Sequence, residues 1–263
     1  MPNYNVTLSH LPERTERPRE SGLTMVMDKG ISLKHAEEFV DSYADYVDFM
    51  KLGFGTSVMS KHVKEKIKIY QNAGIKTYLG GTLFEAFIAR GKFDEYQKFI
   101  DAYGLDTAEV SDGSINMDHD SKCEFISKLS KNFTVLSEVG SKEEGIIIHP
   151  AKWVSMMKAE LEAGSFKVIA EARESGTVGI FHKNGSTHSM LITRITNKIK
   201  PTDIIWETPQ KAQQVYFINL FGANVNVGNI SVDDVIPLET LRLGLRGDTF
   251  FNYLPEETKD KLF

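Results

Sequence analysis

The chain of 263 residues contains a single cysteine, Cys123. One cysteine cannot form an intrachain disulfide, and chains without disulfides are typical of reducing compartments. No run approaches the roughly 18 apolar residues that a membrane-spanning helix requires, and the polar N-terminus lacks the apolar core of a signal peptide. We therefore expect a cytoplasmic protein without a membrane partner.

The chain also lacks several patterns that carry common functions. Its 31 basic and 36 acidic residues give a net charge of −5 without a basic tract, which argues against a nucleic-acid partner. The seven histidines show neither HxH nor HExxH spacing, so we do not expect a zinc site. The GxGxxG fingerprint of dinucleotide-binding folds is missing. The acidic side chains are left as the main candidates for chemistry.

What the chain has is a regular alternation of strand-like and helix-like segments. Predicted strands cover residues 23–27, 46–50, 76–79, 107–111, a run around Val135 and Leu136, 167–170, 203–206 and 224–227. Strands this continuously apolar are typical of parallel sheets covered by helices. Eight such units in about 250 residues predict an α/β fold of the (β/α)8 TIM-barrel class. A doubly wound open sheet is the alternative.

The domain organisation follows from an even composition. No linker or low-complexity tract interrupts the chain, so we predict one domain. Residues 1–20 form a polar lead-in, and residues 21–263 form the catalytic barrel. The sequence leaves open whether the chain forms a homo-oligomer.

Charged side chains stand at or just beyond the ends of the predicted strands. In (β/α)8 barrels the functional residues lie at the C-terminal ends of the strands, so we expect these side chains to meet at one pole. Four glutamates packed together would raise each other's pKa, unless lysine, arginine or a divalent metal compensates their charge. The residues concerned are Asp28, Lys51, Glu109, Glu138, Lys142, Glu171, Arg173 and Glu207.

We assign roles to these residues as hypotheses. Glu109, Glu171 and Glu207 are candidate Mg²⁺ ligands, although Mg²⁺ usually takes only one or two protein carboxylates. Lys51 and Arg173 are cations that can pair with some of these carboxylates. The structural alternative for all of them is ion pairing at strand ends.

Two further pairs of residues are candidates. Glu138 and Lys142, four residues apart, form either a structural ion pair or a catalytic pair. Gly228 and Asn229 form a predicted turn after strand eight, where barrels often bind phosphate against a helix start. A plain capped turn is the alternative.

Several sequence motifs run in order along nearly the whole chain. They include Lys51-Leu52-Gly53-Phe54-Gly55-Thr56-Ser57, Gly80-Gly81-Thr82, Glu109-Val110-Ser111-Asp112-Gly113, Glu138-Val139-Gly140-Ser141-Lys142, Glu171-Ala172-Arg173 and Val225-Asn226-Val227-Gly228-Asn229. Together these motifs resemble the phosphosulfolactate synthase family. Phe54 departs from the family pattern, where tryptophan is common, and Val227 stands where leucine is common, but neither change affects a charged group.

The resemblance implies a (β/α)8 barrel enzyme, a carbon–sulfur lyase, that adds sulfite to phosphoenolpyruvate with Mg²⁺. The product would be (2R)-phospho-3-sulfolactate, on the way to coenzyme M or sulfolactate. The resemblance places Lys142 as the general acid, and the anionic substrates that it implies would be bound by Lys51, Arg173 and the Gly228-Asn229 turn. Because the family includes heat-stress-associated plant relatives, a non-catalytic stress or interaction protein is the second hypothesis. A barrel lyase with Lys51 or Lys142 as a Schiff-base nucleophile is the third.

Overall fold

The computed structural model describes residues 4–140 and 148–261 of the chain. Strands and helices alternate along these two ranges. The strands are β1 (Thr24–Asp28), β2 (Phe49–Leu52), β3 (Lys76–Leu79), β4 (Thr107–Val110), β5 (Thr134–Val139), β6 (Lys167–Ala170), β7 (Ile204–Glu207) and β8 (Val227–Ser231). The helices are α1 (Leu33–Tyr43), α2 (Val63–Asn72), α3 (Gly81–Ile88), α4 (Phe93–Ala102), α5 (His119–Leu129), α6 (Pro150–Glu162), α7 (Ser189–Thr196), α8 (Lys211–Phe221) and α9 (Val235–Arg242).

The strands form a parallel sheet that curves into a barrel. Hydrogen bonds connect them in the order β3, β2, β1, β8, β7, β6, β5, β4, and each of these pairs is parallel. β3 lies beside β4 on the remaining side, so the barrel is nearly closed. The chain is a single-domain (β/α)8 TIM barrel, which confirms the fold expected from the sequence.

The barrel has two apolar layers because side chains alternate between the two faces of each strand. A larger layer fills the space between the strands and the surrounding helices. A smaller cluster fills the barrel interior and consists of Leu23, Met25, Phe49, Tyr78, Leu136, Ile169 and Ile205. Burial on both faces explains why the strands are continuously apolar in the sequence.

Local side-chain contacts set where several helices begin. Ser32 Oγ accepts a hydrogen bond from the backbone N–H of His35 at 3.1 Å, which makes Ser32 the N-cap of α1. Asp118 caps α5 in the same way through the backbone N–H of Ser121 at 2.9 Å. None of the helices in the two described ranges has the length and apolar character needed to cross a membrane.

Two predicted strands are misplaced, and both lie next to candidate site residues. The strand expected at 46–50 lies at Phe49–Leu52, after a 3-10 turn at Ala44–Tyr46. Lys51 is therefore inside the strand rather than after it. The strand expected at 224–227 starts only at Val227 and continues to Ser231.

The side chain of Asn226 explains the late start of β8. Its Oδ1 accepts a hydrogen bond from the Leu23 backbone N–H at 3.0 Å, and its Nδ2 donates to the Ile204 carbonyl at 3.1 Å. These bonds hold Asn226 just before the strand. Gly228 and Asn229 are consequently strand residues, and the prediction that they form a turn after the strand is wrong.

The described part of the lead-in packs against the N-terminal ends of the strands. Arg14 pairs with Glu239 at 2.7 Å, and Arg19 pairs with Asp48 at 2.9 Å. The Asp48 carboxylate also accepts a hydrogen bond from the Thr24 backbone N–H at 2.8 Å. This buried network lies at the pole opposite the one where the candidate site forms.

Candidate active site

Strand alternation brings the four candidate glutamates to the inside of the barrel. Glu138, Glu171 and Glu207 each come two positions after a member of the inner apolar cluster, as Glu138 does after Leu136. Side chains two positions apart on a strand share a face. The carboxylates therefore form the next layer above the inner cluster, and Glu109 on β4 joins them at the C-terminal pole.

A cavity of about 390 Å³ opens at this pole. The four glutamates line it together with Lys51, Arg173 and Asn229. All four glutamates are buried, and so is Lys51, which is 6% exposed. The fold thus brings together seven residues that are separated along the sequence.

Lys51 lies among the carboxylates. Its Nζ is 3.0 Å from an oxygen of Glu109 and 3.6 Å from an oxygen of Glu138. A Glu207 oxygen also lies at 3.6 Å. Burial alone would lower the pKa of Lys51, but the three carboxylates together raise it well above its ordinary value. Lys51 is therefore a cation at any physiological pH and partly offsets the acidic charge.

Glu109 is held by a helix start. One of its oxygens accepts a hydrogen bond from the backbone N–H of Gly81, the first residue of α3, at 2.6 Å. A helix N-terminus favours a negative partner. A Cβ at Gly81 would lie 2.2 Å from Ser111 Oγ and 2.6 Å from the Glu109 carboxylate. Only glycine therefore allows this close approach of carboxylate and backbone.

The other three glutamates form a compact group that fits a divalent cation. One carboxylate oxygen from each of Glu138, Glu171 and Glu207 lies within 4.8 Å of the others. Backbone N–H groups after β6 donate to Glu171 at 2.6 Å and to Glu207 at 2.9 Å. An all-oxygen donor set suits Mg²⁺. The geometry groups Glu138 with these two, whereas the sequence had assigned Glu109 to the metal.

Glu207 has a strongly perturbed carboxyl group. Burial raises the pKa of Glu207 to about 7, with Lys51 opposing the rise and Glu138 adding to it. Near neutral pH the protonated and ionised forms are therefore both populated. A cation bound beside it would favour the ionised form.

Several residues with left-handed backbone conformations line the cavity. Phe54, Arg173 and Asn229 have φ angles of 54°, 53° and 57°. This conformation costs a non-glycine residue roughly 1–2 kcal/mol and is concentrated at functional sites. These three residues therefore place backbone strain at the cavity where a ligand would bind.

Asn229 owes its position to an irregularity in β8. Thr24 pairs with Val227 and Val26 pairs with Ile230, so Gly228 and Asn229 together oppose one residue of β1. This is the two-against-one arrangement of a β-bulge, which turns a side chain in a new direction. Within the described part of the chain, the buried Asn229 Oδ1 has no hydrogen-bond partner. It is a polar atom at the cavity wall that a ligand could satisfy.

Gly228 does not line the cavity. Gly228 packs against the inner cluster, because a Cβ there would lie 2.5 Å from Met25 Cε, and it forms the β-bulge together with Asn229. Lys142 lies outside the described residues.

Sequence reasoning missed part of the cavity wall. Four further residues also line the cavity: Gly80, Gly81, Thr82 and Ser114. A glycine pair directly after β3 was the available signal, since such turns allow a ligand or side chain to approach the backbone.

A (β/α)8 barrel with a buried lysine among four buried glutamates at its C-terminal pole has the architecture of a barrel enzyme. The model of the (2R)-phospho-3-sulfolactate synthase (ComA) family matches residues 12–248. The phosphosulfolactate synthase of Methanothermobacter thermautotrophicus is 41% identical over 244 residues, covering 90% of this chain and 95% of that protein. That of Bacillus subtilis is 40% identical over 244 residues, covering 92% and 97%. The chain belongs to the phosphosulfolactate synthase family, a family of enzymes.

Solved structures of low sequence identity share the fold. A 3-hexulose-6-phosphate synthase superimposes with a TM-score of 0.53 at 16% identity, covering 83% of this chain and 98% of that one. The YdjI aldolase of Escherichia coli K12 gives 0.55 at 10% identity, covering 81% and 76%. These likenesses support the barrel architecture alone.

Proposed function

We propose that the protein is a phosphosulfolactate synthase that adds sulfite to phosphoenolpyruvate and forms (2R)-phospho-3-sulfolactate. The reaction makes a carbon–sulfur bond, which places the enzyme among the carbon–sulfur lyases. Family membership over residues 12–248 supports the reaction. The observation that carries it is the cavity in which Lys51 and the grouped carboxylates of Glu138, Glu171 and Glu207 meet.

The chemistry requires a site that handles negative charge. The sulfur lone pair of sulfite attacks the terminal carbon of phosphoenolpyruvate, and the π electrons of the carbon–carbon bond move into the carboxylate. A proton then reaches the central carbon from one face, which completes the product. The protein must therefore bind two anions and deliver one proton.

We assign Mg²⁺ binding to Glu138, Glu171 and Glu207, because their oxygens lie within 4.8 Å of one another. When bound there, Mg²⁺ would supply Lewis-acid stabilisation of the charge that develops on the substrate carboxylate. Glu109 keeps a separate role, since it orients Lys51 at 3.0 Å and is itself fixed by the Gly81 N–H.

The remaining residues would bind the substrates and move the proton. Lys51 supplies a fixed cation at the floor of the cavity, and Arg173 supplies a guanidinium suited to bidentate contact with phosphate or carboxylate. Asn229, at the β-bulge, would contribute its side-chain amide to substrate binding. We assign proton delivery to Lys142 on the basis of the family motif, because a cationic amine is a suitable acid in an anionic site. Gly228 would contribute as the other residue of the β-bulge that presents Asn229.

The environment of Lys51 disfavours the Schiff-base alternative at that residue. An amine must lose its proton to act as a nucleophile, and the surrounding carboxylates raise the pKa of Lys51 well above its ordinary value. Borohydride with substrate should accordingly trap no adduct on Lys51. As the setting of the reaction we propose the cytoplasm, in line with the single cysteine, and a pathway leading to coenzyme M or sulfolactate.

The direct test measures consumption of phosphoenolpyruvate with sulfite and Mg²⁺. We expect activity in the wild type, loss after treatment with a chelator and recovery when Mg²⁺ is restored. Lys142→Met should lower kcat by about 100-fold or more while folding stays intact. A wild-type protein that is inert under these conditions would favour the non-catalytic, stress-associated alternative. Full activity in Lys142→Met would remove that lysine from the mechanism.

A further inference from the structure

A buried ion-pair cluster lies outside the barrel, next to the acidic site. Lys122 on α5 is fully buried, and its Nζ is 2.9 Å from Asp112 in the loop after β4. The same Nζ is 2.9 Å from Glu160 on α6. Burial alone would lower the pKa of Lys122, but Glu160 and Asp112 together raise it above its ordinary value. Lys122 is therefore a cation that joins three neighbouring elements.

A third contact of Lys122 reaches the candidate site itself. Its Nζ donates a hydrogen bond to the backbone carbonyl of Glu138 at 2.5 Å. The pairing of β4 with β5 ends where Val110 opposes Ser137, so this carbonyl lies just beyond the ladder. The Lys122 ammonium supplies the hydrogen-bond donor to this carbonyl, because the pairing with β4 has already ended there. Such charge-assisted bonds are stronger than neutral ones.

We infer that Lys122 is a positioning residue for the candidate site. It fixes the last peptide units of β5, from which the Glu138 side chain projects toward Glu171 and Glu207. If Lys122 only stabilised the fold, its ion pairs with Asp112 and Glu160 would be sufficient. The third contact, to the main chain of a site residue, links this cluster to the acidic group. Partners that orient metal ligands typically change metal affinity or activity by about 10–100-fold.

The inference rests on the proposed function in one respect, because it takes Glu138 as a metal ligand. Its test therefore uses a metal alone, without substrates. Mn²⁺ is the probe, because its free ion gives an electron paramagnetic resonance signal that falls as the protein binds it. The unfolding midpoint of each variant is measured alongside.

Lys122→Met removes the ammonium and the hydrogen bond, but it also leaves the buried Glu160 carboxylate without its lysine partner, with only a His119 ring nitrogen at 3.3 Å among the described basic groups. A second variant combines Lys122→Met with Glu160→Gln and so removes that buried negative charge as well. A loss of Mn²⁺ affinity in this variant can then be separated from a loss of folding. The matched control is Lys66→Met, because Lys66 is also buried and pairs at 2.6 Å with Asp28, away from the acidic cluster.

We expect the double variant to unfold near the wild-type midpoint and to bind Mn²⁺ about 10-fold or more weakly. Lys66→Met should lose stability and keep wild-type Mn²⁺ affinity. Wild-type affinity in the double variant would overturn the inference, and so would an equal loss of affinity in Lys66→Met. A wild-type protein that binds no Mn²⁺ would also overturn it. Wild-type Mn²⁺ binding without sulfite addition would instead count against the proposed function and leave the positioning role standing.

Discussion

Replacing Lys51 with methionine perturbs the candidate site most directly. The substitution keeps most of the length of the side chain and removes the charge that lies 3.0 Å from Glu109 and 3.6 Å from Glu138 and Glu207. At an effective dielectric constant of about 20, each of these attractions is on the order of 5 kcal/mol. Glu207 would take up a proton more readily once the cation is gone, because Lys51 lowers its pKa, and this limits the net loss. Breaking buried ion pairs from one side typically costs about 3–5 kcal/mol.

The loss should depend on pH, and its sign follows from the charges. Without Lys51 the buried carboxylates repel one another, so the pKa of Glu207, which burial already raises to about 7, rises further above that of the unfolded chain. A carboxyl whose folded pKa is raised contributes stability at low pH that is lost as the pH rises through that pKa. The variant should therefore be destabilised by about 3–5 kcal/mol at pH 8 and by clearly less at pH 5.

Denaturant unfolding at pH 5 and pH 8 measures this difference, with Lys66→Met as the control. Lys66 pairs with a single carboxylate, Asp28, which two backbone N–H groups and the Tyr70 hydroxyl also hydrogen-bond. The pH dependence of its loss should be smaller. An equal loss for Lys51→Met at both pH values, or a loss below about 1 kcal/mol at pH 8, would refute the like-charge description of the cluster.

Two further perturbations test the site. Arg173→Lys keeps the charge and loses the bidentate geometry, so we expect the KM for phosphoenolpyruvate to rise by about 10-fold. An unchanged KM in steady-state kinetics would return Arg173 to a structural role. Because burial raises the pKa of Glu207 to about 7, its ¹³C carboxyl signal should titrate near neutral pH in the metal-free protein. Lys51→Met should move that titration to higher pH, since Lys51 lowers the pKa of Glu207, and a midpoint near 4.5 in the wild type would contradict the burial argument.

The primary sequence was sufficient for the architecture. Continuous apolar strands and the helical patterns between them predict the (β/α)8 barrel because they depend on local periodicity. The same reasoning placed Glu109, Glu138, Glu171 and Glu207 at one pole, since all βα units of a barrel point the same way. That argument required only that each glutamate stand at or after the end of a strand.

Local patterns failed where a long-range contact decides the backbone. β8 begins at Val227 because Asn226 bonds to Leu23 and to Ile204, which are distant along the chain. The bulge that presents Asn229 exists only in the pairing of β8 with β1. No pattern within residues 224–231 encodes either feature.

Only the tertiary structure determined which charged side chains lie next to one another. The sequence analysis grouped Glu109 with Glu171 and Glu207 as candidate metal ligands. The fold groups Glu138 with Glu171 and Glu207 instead, because the first N–H of α3 and Lys51 hold Glu109. Distances of 3–4 Å between residues on different strands depend on barrel register and on side-chain direction, which a one-dimensional pattern does not contain. The sequence by itself thus determined the barrel and the pole at which its acidic residues collect. The fold decided the partner of each carboxylate, because electrostatic pairing acts through space rather than along the chain.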